Sequence, residues 1–163
     1  MAKRIDVVNL PVHSGTFYPP PYDKPCRARF RKRLGDAAGL TQYGVNLTRL
    51  APGAWSSQRH WHTRQDEFVY ILEGEVVLVT DAGEEVMRPG DCAGFKAGEK
   101  DGHHLQNRSA TDAVYLEIGT RVDGDAGEYS DIDMVFRMGG TPAYARKDGT
   151  PYTDIRLRRP EEE

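Results

Sequence analysis

The chain has little of what marks secreted, membrane or nucleic-acid-binding proteins. Only two cysteines, Cys26 and Cys92, occur in 163 residues. That is too few for a disulfide framework, so both are expected as free thiols, Cys92 as a small buried hydrophobe within GDCAGF. No apolar run approaches the roughly 20 residues of a membrane-spanning helix. The amino-terminal MAKRIDVVNLPVHSG carries a basic pair but no apolar segment long enough for a signal peptide, and a cytoplasmic location is the expectation. Positive charge is not in excess: 22 Lys and Arg stand against 25 Asp and Glu, a net charge of -3. The chain therefore lacks an electrostatic footprint for nucleic acid or anionic lipid, and neither partner is expected. No segment sustains apolar residues at i, i+3, i+4 and i+7, and no helix-turn-helix pattern or internal repeat occurs.

What is present describes a soluble globular domain, with 38% hydrophobic and 29% charged residues. Seventeen glycines and ten prolines are scattered as punctuation rather than gathered in a linker. Between them lie short runs of alternating or β-branched character: RARFRKRL (27–34), YGVNLTRL (43–50), FVYILEGEVVLVT (68–80), EEVMRPGD (84–91), HHLQNRS (103–109) and AVYLEIGTR (113–121). Turn chemistry such as APGA, EGE, DAGE and RPGD separates them. The rhythm predicts an all-β fold, with a jelly-roll barrel as its natural member for one closed domain. The ends differ. Residues 1–25, with YPPPYDKP, cannot form regular strand throughout and read as an arm. From Gly124 onward the chain is polar and turn-rich, except for Met134, Val135 and Phe136, which need something to bury against. The terminal RLRRPEEE is expected to fray.

The stretch RHWHTRQDEFVYILEGE, residues 59–75, holds two of the five histidines. Residues two apart in a strand share a face, so His60 and His62 point together while Trp61 points away. The polar TRQD supplies a bend. From Glu67 the alternation puts Val69 and Ile71 on the carboxylate's side, with Phe68, Tyr70 and Leu72 opposite. Glu67 then enters an apolar interior as a lone charge, which is costly unless a partner or a cation takes it up. That cost is the physical argument for a metal. Downstream in GHHLQN, an inward-facing Leu105 brings His103 inward too and leaves His104 on the outer face with Gln106. Three histidines and a glutamate leave about two positions of an octahedral ion open, an arrangement suited to first-row transition metals.

These residues carry a resemblance. Gly53, His60, His62, Glu67 and Gly74 resemble the first cupin motif, and Gly90, Gly98, His103 and Asn107 the second. Three spacings depart from the family pattern: six residues separate Gly53 from His60, Lys96 replaces the usual proline, and EKDG lengthens the loop before His103. That longer loop leaves His103 and His104 as alternatives for the third histidine. The resemblance implies a cupin-type double-stranded β-helix with extended arms: an N-terminal arm and accessory strands over residues 1–41, the barrel over 42–120, and a C-terminal extension over 121–163 packing on the barrel or a partner. It also implies one divalent transition metal (iron, manganese, zinc or nickel) on His60, His62, Glu67 and His103, with His104 and Asn107 supporting the ligands from behind. Because cupin barrels commonly pair, a homodimer is expected. Similar short bacterial single-domain cupins are labelled sugar-phosphate-isomerase-like.

The implied function is a metal-dependent enzyme for a small oxygen-rich substrate, of dioxygenase, isomerase or lyase type. The alternative is a non-catalytic module that binds a sugar or organic acid. No residue declares itself as a general base, so no catalytic residue is assigned. Gln58, Arg64, Tyr70 and Lys96 flank the motif and are candidates to contact a substrate. Tyr115 and Glu117 share a strand face that either lines the cavity or meets solvent. His13, in LPVHSG, reads as solvent-exposed.

Overall fold

A computed structural model describes residues 4–140 and 143–162; residues 1–3, 141, 142 and 163 of the expected arms lie outside the described residues. The strands are β1 (His13–Ser14), β2 (Arg29–Arg33), β3 (Tyr43–Leu50), β4 (His60–His62), β5 (Glu67–Glu73), β6 (Val76–Thr80) and β7 (Gly83–Met87). They continue as β8 (Cys92–Phe95), β9 (His104–Gln106), β10 (Ala113–Thr120), β11 (Ala126–Tyr129), β12 (Val135–Arg137) and β13 (Tyr144–Ala145). Two short helical turns interrupt them among the described residues, a 3-10 turn at Lys24–Cys26 and α1 (Leu34–Ala37). Every alternating or β-branched run in the sequence contains a strand, since such residues suit the extended, pleated backbone.

Three antiparallel sheets result: a six-stranded sheet in the order β1-β2-β3-β10-β5-β8, a four-stranded sheet β13-β12-β11-β4, and a three-stranded sheet β7-β6-β9. Single bridges, His60 to His103 and Trp55 to Gln106, stitch the two smaller sheets together. They thus form one broken layer facing the six-stranded sheet. The core lies between the layers, where Leu50, Val69, Ile71, Ala113 and Tyr115 from one side meet Val76, Leu78, Met87 and Leu105 from the other. Gly74 makes the β5–β6 turn with φ of 70°, a left-handed conformation that disfavours side chains.

The register of the large sheet decides what the cavity is lined with. Across its inner face, Arg31 stands opposite Thr48, Thr48 opposite Tyr115, and Tyr115 opposite Ile71. One step along, Arg33, Asn46, Glu117 and Val69 form the next row. On the outer face Phe68, Tyr70 and Leu72 are each more than a third exposed.

The ends of the chain are not loose arms. β1 and β2 extend the large sheet, and β11 pairs with β4, the strand that carries His60 and His62. The approach of β11 is so close that a side chain at Gly127 would strike the Trp61 carbonyl and the Phe136 ring. Met134 and Phe136 bury against Tyr18, Cys26 and Tyr129 in a second cluster, so the apolar island of the C-terminal segment finds its partner in the N-terminal one. Cys26 is buried, and burial pushes its thiol up to about 12. Cys92 corrects the sequence expectation: it sits on the outer face of β8, opposite Tyr70, and is exposed.

The expected fraying of RLRRPEEE is likewise corrected at Arg158, which is only 2% exposed. Its guanidinium donates to the carbonyls of Tyr18, Asp154 and Arg156 and pairs with Asp154 at 2.6 Å. The backbone of Thr16 exchanges hydrogen bonds with that of Arg158, tying the two ends together. Removing a buried charged partner leaves several acceptors unsatisfied, a loss of about 3 kcal/mol or more. Arg158→Ala is therefore expected to lower Tm by roughly 10 °C in differential scanning calorimetry; a shift within 2 °C, on the order of a surface substitution, would contradict the role assigned to this buried tie.

Candidate metal centre

The side chains of β4 point into the barrel because Trp61 takes the opposite face. The Nε2 atoms of His60 and His62 lie 3.2 Å apart, and Glu67 Oε2 stands 3.4 Å from the latter and 3.8 Å from the former. These three residues offer donor atoms that all fall within 4.8 Å of one another. His103 joins them through Glu67, with its Nε2 2.8 Å from Oε2. Ligands about 2.0–2.2 Å from one ion at right angles stand roughly 3 Å apart, so the His60, His62 and Glu67 separations suit a single ion.

The backs of the rings are as informative as the fronts. His60 Nδ1 faces the Gln58 carbonyl at 2.9 Å, His62 Nδ1 faces Asp125 Oδ2 at 2.6 Å, and His103 Nδ1 faces the Asp101 carbonyl at 3.4 Å. An acceptor stands behind each Nδ1, and in the metal-free cluster the Nε2–H groups of His103 and His62 donate to Glu67; a bound ion would take the place of those Nε2 protons and leave Nδ1–H, the tautomer that metal ligation requires. Phe95 stacks flat on His103, with ring centroids 3.6 Å apart, and Phe136 packs edge-on against His62 at 5.1 Å. The rings are therefore locked by packing as well as by hydrogen bonds.

The electrostatics follow from this crowding. Burial drives His60 down to about 3, leaving it neutral. Burial also acts to lower His62, but the hydrogen bonds and charges of Glu67 and Asp125 outweigh it and lift this imidazole to about 9. Glu67 is pushed up by burial, yet hydrogen bonds from His103 and His62 hold its carboxyl well below the usual range. The His62 imidazolium thus stands between two carboxylates, Glu67 at 3.4 Å and Asp125 at 2.6 Å.

The cluster opens on a cavity of about 530 Å³, lined by His60, Glu67 and His103 on one side and by Arg29, Arg31 and Tyr115 on another. The cupin domain family matches residues 46–119, the span that carries all four clustered side chains. A structure from Silicibacter pomeroyi, described as a sugar phosphate isomerase from a cupin superfamily, is 46% identical with a TM-score of 0.87, over 93% of this chain and 97% of that one. The chain belongs to the cupin superfamily. A second cupin-like structure, provisionally described as a sugar phosphate isomerase from Acidithiobacillus ferrooxidans, is 31% identical with a TM-score of 0.65, over 80% of this chain and 81% of that one. The polyketide cyclase RemF from Streptomyces resistomycificus shares the fold at 19% identity and a TM-score of 0.59, over 74% of this chain and 80% of that one. No protein of curated function matches.

Within this cupin, His103 rather than His104 turns toward Glu67. His104, on the outer side of β9, is nonetheless 4% exposed: its Nδ1–H donates to the Ser57 carbonyl, its Nε2 accepts from the Gln106 amide, and it packs edge-on against Trp55. Alternation was right, but the loop around Trp55 covers that face of β9. Asn107 does not stand behind the ligands either. Its amide spans the Leu50 and Thr111 carbonyls and its oxygen accepts from Ser109, so it closes a turn.

Of the candidate substrate contacts, Tyr115 and Glu117 line the cavity. Tyr70 does not: alternation puts it on the outer sheet face, 38% exposed. Gln58 donates to the Tyr22 carbonyl, and only its own backbone carbonyl serves the site, through His60. The Arg64 side chain is exposed, while its backbone N–H donates to Asp125. Lys96 is exposed at a much smaller pocket that reaches His62 and His103 from the other side.

Asp125, fully buried, is the residue that sequence reasoning missed. It lies in DGDAGEYS, which looks like turn sequence, and only the pairing of β11 with β4 brings it behind His62. Its role is testable without any metal. Because the folded His62 titrates above its ordinary 6.5, it stabilises the metal-free protein below that pH, and the contribution is lost as pH rises through about 9. Asp125→Asn is expected to lower the His62 titration midpoint in an imidazole NMR titration of chelator-treated protein; an unchanged midpoint would exclude the assigned contact.

Proposed function

We propose that this cupin is a metal-dependent enzyme for a small oxygen-rich substrate, with His60, His62, Glu67 and His103 holding one divalent transition ion. One observation carries the reading: three imidazoles have acceptors behind Nδ1 and turn their Nε2 atoms toward one carboxylate at a cavity wall, where an ion would replace the Nε2 protons. Nitrogen-rich ligation of this kind suits iron, manganese, zinc or nickel. Such an ion, when bound, polarises a substrate carbonyl or hydroxyl and lowers the pKa of a bound water. The protein's own residues orient the ligands and, through Tyr115 and the core beneath it, keep bulk water from the inner end of the cavity. Sugar phosphate isomerase-type chemistry, as named for the relatives at 46% and 31% identity, fits an oxygen-rich substrate. The unpaired thiols of Cys26 and Cys92 support a cytoplasmic setting.

Elemental analysis of protein purified without chelator is expected to give close to one metal per chain, and His60→Ala to lose it. Metal-free wild-type protein would defeat the proposal.

A binding module that does not turn its ligand over is favoured by one specific observation. Both glutamates of the cavity are engaged, Glu67 by histidines and Glu117 by Arg31 and Asn46, so neither stands free as a base. Product formation from sugar phosphates, keto acids or catechols separates the readings; saturable calorimetric binding without turnover selects the module.

The homodimer is carried by the outer sheet face, where Phe68, Ile118 and Val45 form one row and Tyr70, Leu116 and Leu47 the next. An exposed apolar face of this kind marks an interaction surface, and a second copy on a two-fold axis would cover it with the same face. Light scattering is expected to return twice the chain mass for the wild type and the single-chain mass for Tyr70→Glu. A monomeric wild type at micromolar concentration would rule the dimer out.

A further inference from the structure

The wall opposite the histidines is basic, and the proposed metal chemistry does not use it. β2 alternates Arg29, Arg31 and Arg33 onto the inner face, and all three line the cavity together with Arg159 from the C-terminal segment. Against these four arginines the lining sets only two glutamates, Glu67 and Glu117. Glu67 is already engaged by the imidazoles. Arg29 spends its guanidinium on the carbonyls of Ser56 and Gly15 and has no carboxylate partner among the described residues. Arg33 meets Asp36 only at 3.9 Å, at the exposed rim. Arg31 pairs with Glu117 at 2.9 Å through one nitrogen, and its Nε is sealed from solvent without an acceptor.

A second observation falls in the same place. The hydroxyls of Thr48 and Tyr115 are both fully buried and both lack any hydrogen-bond partner. Thr48 stands between Arg31 and Tyr115 in one register row, and His13 of β1 opens that row opposite Arg31. Three of the four orphaned buried polar atoms among the described residues therefore lie side by side in one register row, in which Arg31 and Tyr115 line the cavity and Thr48 is buried between them. Leaving such groups without a partner costs stability, and a cluster of them calls for a ligand or water that completes it.

We infer that this row is an oxyanion subsite: Arg31, supported by Arg29 and Arg33, receives a carboxylate or phosphate at one end of the substrate, and Tyr115 and Thr48 supply hydroxyl contacts beneath it. The inference rests on the proposed small-molecule site and narrows its substrate class to anions, held at a distance from the histidine cluster so that another oxygen of the same molecule reaches the metal ligands. Guanidinium groups suit this task because they stay charged and present several N–H donors in one plane.

The test uses chelator-treated full-length protein, so that its outcome is independent of the metal reading. Inorganic phosphate and acetate are titrated separately by calorimetry at fixed ionic strength, with glycerol as the neutral control. Saturable binding of one or both anions and none of glycerol is expected, the tighter of the two naming the anionic group. Arg31→Gln is expected to weaken that binding at least tenfold. Because Arg31→Gln strands Glu117 and risks misfolding, Tyr115→Phe and Thr48→Val serve as the second arm. Each deletes an unpartnered hydroxyl, so each leaves Tm unchanged or raised without ligand while weakening anion binding about threefold or more. Absence of saturable binding by both anions overturns the inference, as does wild-type anion affinity in Tyr115→Phe and Thr48→Val together. Loss of metal binding with anion binding intact sinks only the metal reading.

Discussion

A carboxylate at the start of a strand that dives into an apolar barrel must be compensated, and the architecture around Glu67 follows from that need. Three imidazoles surround it, His62 among them as an imidazolium, and each ring is braced from behind by an acceptor. No single strand supplies this brace. His60 and His62 come from β4, His103 from the loop before β9, and the acceptors from the Gln58 carbonyl, the Asp101 carbonyl and Asp125. The backbone exchange between His60 and His103, at 3.2 and 2.9 Å, closes the two halves of the second layer at the point where the charge has to be held.

The terminal segments share in this compensation. β11 lies against β4 over three residues, and Gly127 allows the approach that brings Asp125 to His62. Tyr18 and Cys26 from the N-terminal segment bury the far side of the same structure through Met134 and Phe136. The site is thus built from the whole chain rather than from the central barrel alone. The same economy places a row of arginines on β2, an edge contribution from the N-terminal segment, across the cavity from the histidines. A pocket with metal-ligating nitrogen on one wall and guanidinium on the other has two chemically distinct ends, and a molecule that satisfies both must be polar along its length.

Strand periodicity was legible because alternation is local: a residue's face follows from its neighbours two away. It placed His60 with His62, put Val69 and Ile71 inside, and left Phe68, Tyr70 and Leu72 outside, all as the structure has them. It even put Leu105 in the core, but it said nothing of what covers the other face of β9, and so the burial of His104 on that face was not legible. Cys92 went wrong for the converse reason: an apolar type on a short edge strand need not face the core. Tyr115 and Glu117 were undecided because two faces of an antiparallel strand look alike until the opposing layer is known.

The sequence by itself determined the class of fold, the inward pair of histidines and the need for a partner to Glu67, since these depend on residue type and short spacing. Tertiary structure alone decided which histidine of the His103 and His104 pair meets Glu67, that Asp125 braces His62, that Arg158 is buried rather than frayed, and that Arg31, Thr48 and Tyr115 share one row. Each of those facts depends on which distant strands pair and in what register. A shift of one residue would turn every side chain to the opposite face, and no local pattern encodes that choice.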